Sequence, residues 1–275
     1  SHAPSNGKCY RYIRISREVC HPNNPSSHKY DDYTNLNGSP LLGLRMAMVF
    51  SLGLPQAHPN NTFLRGNYSV VLRSNGGQYL NPKEQRRISK EFEKEMSTYD
   101  DIIVGDFEDT YLNLTFKSYY SFLWVSTFCR KRRPTVIFID DDVPISLEYF
   151  ARVLRIQRRR HNNAFFHGVI KLNDIVLRFD GKSIPRWNAL KSEVPWPIYP
   201  MYIHGPLLLA SFEHVENMAL GMAFTKFFPT DDTWIGLVAA KLGISFHHIN
   251  ELLHWNKILT HRPHNATSMK PIAFR

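Results

Sequence analysis

One stretch constrains the fold more than any other. Thr135, Val136, Ile137, Phe138 and Ile139 form a β-branched and aromatic run that stops abruptly at Asp140, Asp141 and Asp142. Such a run suits a central strand covered on both faces. Three adjacent carboxylates repel one another, and a divalent cation with oxygen ligands compensates that repulsion. In open α/β sheets, ligands bind beyond the carboxyl ends of the strands. A solvated acidic turn is the competing reading; its place after an apolar strand favours the metal site.

The flanking sequence alternates strand and helix signals. Leu44 to Leu52 is apolar and ends at Gly53, Leu54 and Pro55, which reads as a buried strand and a turn. Pro82 opens a predicted helix to about Thr98, with Ile88, Phe92 and Met96 recurring every four residues. Ile102 to Val104 reads as a short strand, Tyr111 to Phe128 as a helix apolar on most faces, 146–160 as a helix and 164–170 as a strand. This order predicts parallel βαβ units. Residues 180–205 read as a shaped loop rich in Pro and Trp, followed by helices near 212–224 and 232–242. Residues 1–40 read as an irregular arm and 55–69 as loop. The predicted organisation is an arm over 1–40 and a single domain over 41–275, with halves at 41–170 and 171–275.

Composition narrows the class. The chain has 275 residues, 43% of them apolar and 13% aromatic, enough for a substantial core and too much for a disordered chain. The net charge of +10 implies affinity for polyanions. Its clusters, Arg130 to Arg133 and Arg158 to His161, read as solvated or helix-end cations rather than a nucleic-acid platform, because aromatics do not interleave them. The three cysteines, Cys9, Cys20 and Cys129, cannot all pair within the chain, and a Cys9–Cys20 bridge is one option. Sequons begin at Asn37, Asn60, Asn67, Asn113 and Asn265 and lean toward the secretory pathway. No signal peptide is visible and no apolar run reaches about 18 residues, so a targeting or anchoring segment is expected outside this chain.

A second acidic pair, Asp231 and Asp232, precedes Thr233, Trp234, Ile235 and Gly236. It reads as a helix N-terminus, and a carboxylate placed there within a cleft can also act as a general base. Five of the thirteen histidines fall late, at His247, His248, His254, His261 and His264. Imidazole from that group can return to a metal.

These features occur inside an ordered series of motifs. Tyr99 to Lys117 (YDDIIVGDFEDTYLNLTFK) resembles the DI…DF.D.Y.NLTLK signature of the β1,3-glycosyltransferase family, which includes β1,3-galactosyltransferases, β1,3-N-acetylglucosaminyltransferases and, more distantly, fringe. Trp124 and Cys129 match its W…C, and Ile139 to Val143 its metal motif. Arg186 and Trp187, then Tyr199 to Tyr202 with Gly205 and Ser211, match KW…YP.Y..G…..S. Asp231 to Gly236 matches EDV..G, and Ile258 to His261 with Met269 resembles the terminal I..H….M. The likeness spans about residue 44 to the end. Three places depart from it. Gly43 to Gly53 lacks the Trp of the family's R..IR.TW segment, Gly205 to Leu208 replaces G.GY, and Asp231-Asp232-Thr233 replaces EDV.

The resemblance implies an α/β fold of GT-A type, a Rossmann-like, mostly parallel sheet flanked by helices. It implies Mn2+, or Mg2+, on Asp142, Asp140 and His261. Asp141, Arg45, Asp106 and Lys117 fall on the side of a UDP-sugar donor. Trp187, Tyr202, Gly205 and Asp231 fall on the side of a glycan acceptor carried by glycoprotein or glycolipid. Asp232 takes the place of the base in an inverting transfer to a 3-hydroxyl, galactose being the leading donor sugar. A β1,3-N-acetylglucosaminyltransferase and a non-catalytic glycan-binding relative are the alternatives. The implied setting is the Golgi lumen, as a type II membrane protein whose anchor lies outside this chain, with no nucleic-acid partner.

Overall fold

The computed structural model describes residues 11–16, 20, 47–55, 62–65, 67–71, 81–140, 143, 152–155, 164–178 and 187–249. Over these the chain is a mixed α/β protein with two sheets and a hairpin. β1 (Tyr12–Arg14), β5 (Ile102–Glu108) and β2 (Phe50–Leu54) form the first sheet in that order. β3 (Thr62–Arg65) and β4 (Tyr68–Val71) form an antiparallel hairpin. β6 (Val136–Ile139), β8 (Tyr202–Ala210), β7 (Phe166–Lys171) and β9 (His247–His248) form the second sheet in that order.

The expected mostly parallel sheet is corrected here. β2 and β5 pair in parallel, as do β7 and β9, but β1–β5, β6–β8 and β7–β8 are antiparallel. The reason is β8. It inserts between β6 and β7, and its residues fall partly in the stretch expected to be loop. Gly205 closes the stretch expected to be loop, yet Gly205 and Pro206 lie within the strand at a bulge. The β7–β8 register jumps there from Gly168↔Leu208 to Val169↔His204, so Gly205 and Pro206 pair with neither neighbour. A proline without a donor is tolerated where no ladder bond is made, and Gly205 takes φ +92°, which a side chain would strain.

Other boundaries shift as well. β2 begins at Phe50 and runs through Gly53, where a turn was expected. Tyr12–Arg14 form a strand within the arm expected to be irregular, and β3 and the start of β4 fall in the expected loop at 55–69. The disulfide joins Cys20 to Cys129 and not to Cys9. It fastens the segment after β1 to the end of α2 (Leu114–Phe128).

α1 (Pro82–Tyr99) starts as its sequence dictates. Asn81 caps it, accepting from the N–H groups of Lys83 and Glu84, Glu84 reaches back to the Asn81 N–H, and Pro82 occupies the first turn. α2 is buried as its all-round apolar sequence requires. It bridges the two sheets. Tyr120 stands against Phe107 of β5 with ring centroids 5.1 Å apart, and Phe122 stacks on Phe138 of β6 at 4.1 Å. α3 (Phe212–Ala223) and α4 (Asp231–Leu242) complete the core with Val215, Met218, Trp234 and Val238, all fully enclosed. The Arg130–Arg133 cluster serves α3: Arg130 pairs with Glu216 at 2.7 Å, and the Arg133 guanidinium sits 4.9 Å from the Phe212 ring centre.

Candidate active site

Three structural devices converge at one end of the second sheet. The first is the end of β6. Ile139 pairs with Leu207, so Asp140 follows just where β8 bulges. The second is the N-terminus of α4, which carries Asp231 and Asp232 in its first turn, where a helix dipole favours negative charge. The third is the loop before α4, held from α2. Thr115 Oγ donates to the Phe228 carbonyl at 2.6 Å, and Ser118 Oγ donates to Asp231 Oδ2 at 3.1 Å. Phe227 is wedged between Phe116, at 4.4 Å, and Trp234, at 4.9 Å.

Gly236 sets the seat of α4. A Cβ at that position would overlap the Cβ of Tyr202 and lie 2.9 Å from the Met201 carbonyl oxygen, so only glycine lets the helix lie this close to β8. One turn earlier on the same helix, Asp232 Oδ1 accepts from the Thr233 N–H at 2.7 Å, and Oδ2 lies 3.4 Å from Nδ1 of His204 on β8.

The acids feel one another. Asp231 has its pKa raised from 3.8 to about 7, first by burial, then by the Asp232 charge, with Asp140 adding to it; the Ser118 hydrogen bond works the other way. Tyr202 is also raised, by burial first, then by its hydrogen bond to Asp174 and by the charge of Asp232. Asp140, Asp231, Asp232 and Tyr202 are therefore one electrostatic unit, with Gly205 at its rim facing open space. A set of carboxylate oxygens under mutual repulsion fits a hard divalent cation such as Mn2+ or Mg2+. Among the described residues no three metal-binding side chains meet at one point. Asp141, Asp142, His261 and Arg45 lie outside the described residues.

The remaining expected site residues stand elsewhere. Lys117 Nζ pairs with Asp109 at 3.0 Å, and Asp109 also accepts from the Gly53 N–H at 3.0 Å, so this lysine ties α2 to the ends of β2 and β5. Asp106 is exposed on β5, in the first sheet. Trp187, half exposed, donates from Nε1 to the Tyr111 hydroxyl at 2.6 Å. Sequence reasoning missed His204, Ser118 and Asp174. Ser118 carries no local signal. His204 carries one, since it lies two residues after Tyr202 and so on the same strand face.

A galactosyltransferase family model matches residues 80–250. The chain belongs to the galactosyltransferase family. It is similar to human beta-1,3-galactosyltransferase 5, with 31% identity over 162 residues covering 57% of this chain and 48% of the relative. It is also similar to mouse beta-1,3-galactosyltransferase 1, with 29% identity over 163 residues covering 59% and 48%. The galactosyltransferase match thus places the chain among the β1,3-glycosyltransferases, and the chain spans about half the length of the curated relatives it matches. The matched span includes Asp140, Asp231, Asp232, Trp187, Tyr202 and Gly205, and stops short of Arg45 and His261. No helix among the described residues is long and apolar enough to cross a membrane.

Proposed function

We propose that this galactosyltransferase-family chain transfers galactose from a UDP-sugar to the 3-hydroxyl of a glycan acceptor, with inversion at the anomeric carbon, in the Golgi lumen. The observation that carries the reading is the meeting of Asp140, at the end of β6, with Asp231 and Asp232, at the start of α4. The names of the matched relatives supply the sugar and the linkage. The reading takes the mixed α/β architecture to be of the GT-A type, with the donor near the end of β6 and the acceptor toward Tyr202, Gly205 and Trp187.

The chemistry follows from charge and position. Inversion needs one in-line displacement, so a base must face the anomeric carbon from the side opposite the leaving diphosphate. In this reading Asp232 takes that role, as a partly exposed carboxylate held at one oxygen by the Thr233 N–H. It accepts the proton of the acceptor hydroxyl as that oxygen attacks C1. Asp231 beside it is raised to about 7 and remains largely protonated below that pH, which limits repulsion against a bound diphosphate. Asp140, with Asp142 and His261, would hold Mn2+ or Mg2+, which supplies charge neutralisation for the departing UDP.

The test is UDP release from a panel of UDP-sugars, UDP-N-acetylglucosamine included, with a β-linked sugar acceptor and with or without Mn2+. UDP-galactose with Mn2+ is expected to give the fastest turnover, and Asp232→Asn to lose roughly 100-fold or more in kcat. Equal rates for the wild type and Asp232→Asn would remove Asp232 as the base.

A further inference from the structure

We infer that His204 is a positioning residue that holds the Asp232 carboxylate in its working orientation. The inference rests on the reading of Asp232 as the base and extends it. It begins with how α4 lies on β8. Tyr202 and His204 share a strand face because they are two residues apart. Asp232 and Gly236 share a helix face because they are four apart. Gly236 is fixed against Tyr202 by backbone contact, so the next rung of the same interface brings His204 to Asp232. The pair is a product of the docking and not of two surface chains that happen to meet.

The geometry constrains both partners. Asp232 Oδ1 is engaged by the Thr233 N–H at 2.7 Å. Oδ2 faces His204 Nδ1 at 3.4 Å. With both oxygens addressed, rotation of the carboxylate about its last bond is restrained, and a lone pair stays directed at an incoming hydroxyl. The imidazole is restrained in its turn. Its ring stands edge-on to Tyr202 at 6.3 Å, and Tyr202 is anchored at its far end by donating to Asp174. The bulge at Gly205 and Pro206 begins immediately after His204, so β8 leaves its ladder there and opens the histidine edge toward solvent. His204 is 53% exposed and Asp232 25%, which leaves both reachable by an acceptor. At 3.4 Å the His204–Asp232 pair is in ion-pair contact rather than hydrogen-bonded in the resting protein, and contacts of this kind to a catalytic group tighten when substrate closes the site.

Two measurements on the full chain test this. In UDP release from UDP-galactose with Mn2+ and acceptor, His204→Ala is expected to lower kcat about 10- to 100-fold with the donor KM unchanged. His204→Asn is expected to recover most of that loss, because its amide nitrogen occupies the place of Nδ1, whereas His204→Gln is not. The second measurement needs no turnover. The imidazole nitrogen NMR spectrum at pH 8 is expected to show His204 as the Nδ1–H tautomer in the wild type, reverting to Nε2–H in Asp232→Ala. An unchanged tautomer, or equal loss in the Ala and Asn variants, overturns the inference even where Asp232→Asn is inactive. Wild-type turnover by Asp232→Asn removes the base reading instead, and the tautomer alone then decides whether His204 holds that carboxylate.

Discussion

Asp231 is the residue whose surroundings disagree most with its own chemistry. Its ordinary pKa of 3.8 rises to about 7 in the folded protein. Between those values the folded state keeps a proton that the unfolded chain has given up. Stability therefore falls as pH rises from about 4 to about 7, and the full penalty is present above that range. Asp231→Asn removes this slope while leaving an oxygen to accept from Ser118. Thermal unfolding followed from pH 4 to pH 8 should show the variant gaining on the wild type as pH rises, with the largest gap at the alkaline end. Parallel profiles would mean that the Asp231 carboxylate is not confined. That two acids would stand here was legible from Asp231 and Asp232 preceding an apolar helix. That Asp231 is raised was not, since its burial and its contact with Ser118 of α2, 113 positions away, arise only in the fold.

The decisive element pair is α4 on β8. Gly236→Ala puts a methyl group into the Tyr202 Cβ and against the Met201 carbonyl, with no flexible side-chain end to give way. The expected cost is about 1–3 kcal/mol, read from the denaturant midpoint, with a parallel loss of turnover as Asp232 is carried away from His204. A midpoint within experimental error of the wild type would show that the helix has room there. α1, α3 and α4 were legible to within a residue or two because their signals are local: Asn81, Pro82 and Glu84 start α1, and Gly243 at φ +66° ends α4. α2 starts at Leu114, three residues after its expected start, because Tyr111–Asn113 form a 3-10 turn. Both ends of the helix expected at 146–160 lie outside the described residues. β8 was not legible. Gly205 and Pro206 interrupt it, and Leu207 to Ala210 are buried throughout, so neither alternation nor an uninterrupted run marks the strand. Asp140, the first of the three aspartates, lies directly beyond β6 as expected, although the neighbour of β6 is an antiparallel strand; Asp141 and Asp142 lie outside the described residues.

Across the whole molecule, the two sheets are joined through α2 and by the Cys20–Cys129 disulfide, which closes a separation of 109 residues. A loop of that length gives about 4–5 kcal/mol of stabilisation in the chain-entropy account. Replacing both cysteines by serine, or adding reductant, should move the guanidinium midpoint down by that amount; an unchanged midpoint would mean that the core holds the N-terminal strand unaided. The bridge was open in the sequence because an odd cysteine count leaves the pairing undetermined, and only the fold brings Cys20 to the end of α2. The order of strands in the second sheet also has a consequence for synthesis. β6 and β7 are made first and are kept apart by a strand that does not yet exist. Until residue 210 has left the ribosome, β6 lacks the partner that covers its edge, and β7 lacks both of its partners, since β9 is made later still. The sheet therefore closes late and nearly all at once, and a chain stalled before that point displays Val136 to Ile139 as an open apolar edge, the kind of segment that chaperones bind and that seeds aggregation.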